Sequence, residues 1–200
     1  MRILSLLTIT LCTLLTVSPA LAKDKKAGKQ MDQQAMMELW QKLAQPGEPH
    51  KLFAGLAGSW TTSAKEWMEP GKPPMESAGM AENKMLLDGR FLYHEYNGQM
   101  MGQPYSGVGI YSYDNMTKKY VTVWMDSMGT GIFMMEGTAS PDGKTITLKG
   151  SHPEPGGGKM SHRAVWKIAD SNATTFEMYG THGHGGKEMK FLEIVYTRKP

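Results

Sequence analysis

Cysteine is almost absent. The 200-residue chain has one, Cys12, inside an N-terminal apolar run. Beyond that run there is no thiol nucleophile, no disulfide and no thiolate metal site, so core packing alone must hold the fold. No second stretch is apolar enough to span a bilayer as a helix, which needs about 20 residues. Lysine and arginine total 22 against 19 acidic residues, with no basic stripe, so nucleic acid is not an expected partner. The sequence has no Gly-x-Ser-x-Gly elbow, no His-Glu-x-x-His and no phosphate-cradling glycine loop. Gly107-Val108-Gly109 falls within strand texture and does not open a helix, which excludes a dinucleotide fingerprint.

What is present begins with a leader. Arg2 supplies a positive start, Ile3 to Val17 is apolar with small polar breaks, and Ala20-Leu21-Ala22 is a small-x-small site followed by Lys23-Asp24-Lys25-Lys26. This order predicts a secretory signal peptide over 1–22, and hence a periplasmic or secreted protein. Leu11, not a small residue, precedes Cys12, which argues against a lipoprotein. Residues 23–30 are polar and read as a disordered linker. Residues 31–45 have helical spacing, with Met36, Leu39, Trp40 and Leu43 on one face and Asp32 as a cap. This helix is expected to lie across a barrel or close one end. Its polar face is not basic, as a membrane-surface helix would require. Gln45-Pro46-Gly47-Glu48-Pro49 reads as a helix stop and turn.

From Ala57 the texture changes to short runs of β-branched and aromatic residues between breakers. Strands are expected near 58–68, 76–87, 90–98, 104–113, 118–126, 130–139, 144–151, 160–169, 173–181 and 187–198. Asp88-Gly89, Asn97-Gly98, Asp114-Asn115 and Pro141-Asp142-Gly143 are among the hairpin signals. Roughly ten consecutive antiparallel strands tend to curl and close, which removes exposed edges. The expected fold is all-β: a single antiparallel up-and-down barrel over 48–199, preceded by a short helix. A barrel of about ten strands is wider than side chains readily fill, so a lined cavity is expected.

Gly58-Ser59-Trp60, opening the first strand, resembles the entry of calycin barrels, the lipocalin and fatty-acid-binding-protein group. That resemblance implies a tryptophan across the barrel floor with a late basic residue over its indole, here Arg198. Further matches are Trp67-Met68-Glu69-Pro70-Gly71, Leu87-Asp88-Gly89-Arg90-Phe91-Leu92, Gly102-Gln103-Pro104-Tyr105-Ser106-Gly107, Trp124-Met125-Asp126-Ser127-Met128, Phe176-Glu177-Met178-Tyr179 and Glu193-Ile194-Val195-Tyr196-Thr197-Arg198. In this order they resemble the domain of unknown function 1579 family over about residues 48–199. The resemblance implies a calycin-like barrel and supplies no activity. Some calycin-like barrels hold haem by one histidine, but no histidine here stands in a matching strand, and the cofactor is left unknown.

Several residues are candidates for chemistry. Arg90, His94 and Tyr96 share a strand face and could meet an anionic head group; the alternative for Arg90 is a rim ion pair. Trp124 and Asp126 share a face by alternation. Asp126 could serve a ligand, pair with Arg90 or Arg163, or cap its own Asp-Ser turn. Tyr113, Arg163 and Met178 complete the expected ligand wall. Glu177 and Glu193 are expected to face outward. His182-x-His184 could put two imidazoles on one face for a metal; a flexible glycine-rich tip is the simpler reading. Of 18 methionines, all but Met1 are expected to remain after cleavage of the leader, and pliable packing around a cavity accounts for them more simply than copper ligation. The expected function is binding of a small apolar or amphipathic ligand. The alternatives are copper handling through methionine and histidine, or an enzyme using Asp126 or a histidine as base. Oligomeric state is not read from these residues.

Overall fold

Two helices and ten strands follow one another along the chain in a computed structural model, which describes residues 32–181 and 186–200. The expected signal peptide, the 23–30 linker, His182 and His184 lie outside the described residues. The strands are β1 (Gly58–Glu66), β2 (Met75–Leu86), β3 (Phe91–Met100), β4 (Gln103–Asp114), β5 (Lys119–Asp126), β6 (Phe133–Ala139), β7 (Thr145–Pro153), β8 (Lys159–Ile168), β9 (Ala173–Thr181) and β10 (Met189–Arg198). Each pairs antiparallel with its neighbours in sequence, and β1 pairs with β10, from Trp60 opposite Arg198 to Glu66 opposite Leu192, so the sheet closes into a barrel. Strand alternation sorts the faces: Trp60, Thr62, Ala64 and Glu66 point inward from β1, and Leu92, His94 and Tyr96 from β3.

One hairpin differs from the sequence reading. β3 runs through Asn97-Gly98 to Met100, and the turn falls at Met101-Gly102, where both residues have positive φ. Gly98 is instead a packing position: a Cβ there would lie 2.7 Å from the Tyr96 hydroxyl.

The expected helix forms as α1 (Gln33–Leu43), and the Asp32 side chain accepts from the Ala35 N–H at 2.8 Å. It does not close the barrel. None of its residues is buried, and Trp40 stays 56% exposed. The closure comes from α2 (Glu48–Gly55), although Gln45-Pro46-Gly47-Glu48-Pro49 predicts a turn where it begins. Pro49 sits in its first turn, where no helical N–H bond is lost. The Gly47 N–H donates to His50 Nδ1 at 3.0 Å. His50, Phe53 and Leu56 are buried beneath it. Phe53 packs on Tyr120 and Trp166, with ring centroids 5.8 and 6.2 Å away.

The Trp60–Arg198 pairing implied by the calycin resemblance is present. The guanidinium carbon lies 4.4 Å from the indole centroid, and the indole N–H donates to the Leu56 carbonyl at 3.1 Å. Arg198 also donates to the carbonyls of Gly55, Ala57 and Ser171. One arginine thus ties α2 and β1 to the last strand. With Leu92, Ile146, Leu148 and Trp166, these residues fill most of the α2 end of the barrel.

Candidate ligand cavity

The other end is not filled. Antiparallel alternation brings the last residues of β1, β3, β5, β7 and β9 and the first of β4, β6, β8 and β10 together there. They enclose a cavity of about 350 Å³, within the range of small-molecule sites. Rings and thioethers make most of its wall, including Tyr96, Tyr105, Trp124, Phe133, Phe176 and Phe191 with Met100, Met135 and Met178.

Trp124 occupies its place because its neighbours on β4 are glycines. A Cβ on Gly107 would stand 2.2 Å from the indole Cζ2, and one on Gly109 2.9 Å from Cε3. The Tyr-x-Gly-x-Gly-x-Tyr face from Tyr105 to Tyr111 is therefore a slot for one indole. The indole N–H is shared between the Tyr105 oxygen and Asp126 Oδ2, each at 3.0 Å, and the Tyr105 hydroxyl donates to the same carboxylate oxygen at 3.1 Å. Asp126 Oδ1 accepts from the Met128 N–H at 2.9 Å. Asp126 therefore both anchors its turn and faces the cavity. Burial first, then the Asp126 charge, pushes the Tyr105 hydroxyl well above the usual tyrosine range, so it remains a donor.

His94 lies deeper, ringed by Tyr111, Trp124 and Tyr196 at centroid distances of 5.7, 5.8 and 5.7 Å. Asn83 donates its amide N–H to the Leu56 carbonyl at 2.9 Å, so its Oδ1 accepts from His94 Nδ1–H at 2.6 Å. This fixes the tautomer and leaves Nε2 as an acceptor toward the cavity. Burial disfavours the imidazolium and lowers the His94 pKa from 6.5 to about 4.

The linkage has a definite sign. The unfolded chain binds this proton near pH 6.5 and the folded one only near 4, so the stability is intact above 6.5 and lost as pH falls toward 4. The total expected from this site is roughly 3 kcal/mol. Urea denaturation of wild type and His94→Gln at pH 7 and pH 4 tests it. The wild type should lose more stability between the two pH values than the variant does, and equal losses would remove His94 as the cause.

The structure divides the predicted site residues. His94, Tyr96, Trp124, Asp126 and Met178 line the cavity together. Arg90, Tyr113 and Arg163 do not. Arg90 donates to the Ala44 and Leu87 carbonyls, both at 3.1 Å, fastening the end of α1 to the barrel. Arg163 points outward, in a two-bond pair with Glu188 at 3.0 and 2.6 Å and 3.9 Å over the Tyr179 ring. Neither arginine pairs with Asp126. Tyr113 belongs to the filled end, against His50 and Tyr120. Glu177 faces away from the cavity but is covered by Lys167, 2.9 Å away, and Lys190.

Several lining residues escaped sequence reading: Glu66, Thr122, His152, His162, Phe191 and Tyr196. The inward alternation of β1 from Trp60 carried the signal for Glu66. His152 and His162 come from adjacent strands and stack with centroids 4.9 Å apart. Among the described residues, no group of three or more His, Cys, Asp or Glu could hold a metal ion, and no helix is long and apolar enough to cross a membrane. Many methionines, among them Met36, Met37, Met68, Met80, Met116, Met128 and Met134, lie exposed on the exterior.

Comparison with known proteins places this geometry. The crystal structure of Rv2717c from M. tuberculosis aligns with a TM-score of 0.54 at 17% identity, covering 78% of this chain and 100% of that one. This likeness shows the fold alone. A fluorescence-activating β-barrel designed de novo aligns at TM-score 0.42 and 11% identity, over 73% of this chain and 95% of its own. The barrel EF1p2_mFAP2b bound to DFHBI aligns at 0.43 and 10%, over 76% and 100%. No curated protein matches the chain in sequence. Residues 45–198 match a family described as "Protein of unknown function (DUF1579)", and the chain belongs to that family.

Proposed function

We propose that this is an exported binding protein that takes one small apolar or amphipathic molecule into the barrel. The observation that carries the reading is the cavity of about 350 Å³, walled by rings and thioethers beside a filled barrel end. Apolar burial would supply most of the affinity, at about 25 cal/mol per Å² before ordering costs. The methionine walls let the cavity adapt to its guest. The polar atoms of His94, Tyr105 and Asp126 would orient it. Export rests on the Arg2 to Ala22 leader pattern.

Native mass spectrometry of the protein recovered from the producing cell is expected to show an organic adduct. The neutral dye N-phenyl-1-naphthylamine gives an independent reading. It should brighten on binding the purified protein, and Met178→Trp, which fills the cavity from β9, should weaken it by roughly tenfold or more. Undiminished dye binding in a Met178→Trp variant of normal thermal stability would place the dye elsewhere and end the proposal.

A further inference from the structure

The charged groups of the cavity narrow the guest further. Two carboxylates reach it, Glu66 at the end of β1 and Asp126 at the end of β5. Glu66 is 6% exposed; its Oε2 accepts from the Met101 N–H at 2.7 Å, and Oε1 has no hydrogen-bond partner among the described residues. Asp126 is held by the Tyr105 hydroxyl, the Trp124 N–H and the Met128 N–H. All of these donors are neutral. Neither carboxylate has a lysine or arginine within ion-pair distance among the described residues, and none lines the cavity. The cations near that end are engaged elsewhere: Lys65 on Glu76, Arg163 on Glu188, Lys190 on Glu177 and Glu193. His94 is neutral at physiological pH.

Buried charges are ordinarily paired. Here the buried Glu66 and the half-buried Asp126 place two carboxylates at one end of an apolar cavity without a lysine or arginine partner from the described residues. Electron-rich rings stand beside them: Tyr96 packs on Tyr105 at 5.9 Å, and Trp124 lines the same cavity. Ring faces and carboxylates together attract an organic cation. We infer that the cavity selects a cationic amphiphile, an alkyl or aryl amine protonated at neutral pH, over its neutral and anionic analogues. The ammonium lies toward Glu66 and Asp126, and the apolar body reaches in past Trp124 to Phe176 and Met178. This assignment rests on the cavity-binding reading, and it reverses the anionic head group that Arg90 suggested from sequence.

Three ligands of equal chain length test it: decylamine, 1-decanol and decanoate. Each is titrated below its aggregation concentration at about pH 8, where ordinary imidazoles are neutral, against protein carrying N-phenyl-1-naphthylamine. Decylamine should displace the dye at a concentration roughly tenfold lower than decanol, and decanoate should be the weakest. Glu66→Gln and Asp126→Asn should each shrink the amine-to-alcohol ratio. Equal displacement by all three, or tightest binding by decanoate, overturns the charge assignment and leaves the cavity reading standing. An amine preference unchanged in both variants overturns it as well. A dye that never binds removes both readings together.

Discussion

Trp60→Ala should destabilise the protein by roughly 3–5 kcal/mol, the range for emptying a large buried aromatic site. The indole is 1% exposed and does three things at once. It fills the floor beneath α2, donates to the Leu56 carbonyl at the end of that helix, and carries the Arg198 guanidinium on its face. The surrounding strands are fixed by ladders on both sides, so the space cannot collapse. Trp60→Phe keeps most of the ring but loses the N–H, and should cost clearly less. The check is equilibrium urea unfolding followed by far-ultraviolet circular dichroism. A loss below about 1 kcal/mol for the alanine variant would mean the floor is held by something other than the indole.

Gly137→Ala should be comparably damaging for a different reason. Gly137 lies on β6 opposite Leu148, and an added Cβ would stand 1.8 Å from the Thr147 carbonyl oxygen. That neighbour is backbone, so no side chain can swing aside. The β6–β7 ladder must part locally, at a cost of about 3 kcal/mol or more. Gly55→Ala is the internal comparison: nothing lies within 4 Å of its added methyl, and it should stay within about 1 kcal/mol of wild type. Similar midpoints for the two variants would refute the close approach. Amide exchange should quicken first around Glu136 and Lys149 in Gly137→Ala, because their pairing flanks the clash.

The two glycine positions illustrate why the strands are legible in sequence and the interior less so. Alternation along β1, β3, β4 and β5 follows from the two-residue period of any strand, and it puts Trp60, His94, Tyr105 and Trp124 on the inner face without coordinates. The Trp60–Arg198 stack is legible through family resemblance. Alternation does not say how far along the barrel an inward residue sits. Tyr113 faces inward like Tyr105 but lies at the filled end with Phe53 and Tyr120, so it never meets the cavity. Arg90 stands before β3 begins, where the inner-face rule no longer binds it, and it turns back to α1. Arg163 follows the rule faithfully: its neighbour His162 points in, so it points out.

Helix α2 is hidden in the sequence because Pro46, Gly47 and Pro49 all read as breakers. Proline disrupts only the interior of a helix, and Pro49 occupies the first turn. The spacing of Leu52, Phe53 and Leu56 is the surviving signal. Asn97-Gly98 misleads in the opposite direction: a strong turn dipeptide is tolerated within a strand when a ring needs the bare backbone, as Tyr96 does.

The seam between the first and last strands has a consequence for how the molecule is made. The Arg198 bond to the Ala57 carbonyl spans 141 residues. Until the final strand is synthesised, every intermediate carries two unsatisfied strand borders, at β1 and at whichever strand came last. Joining ends so distant is entropically slow. The nascent protein therefore passes a vulnerable interval in which neighbouring molecules compete for those borders, and the interval ends only when the residues of β10 dock.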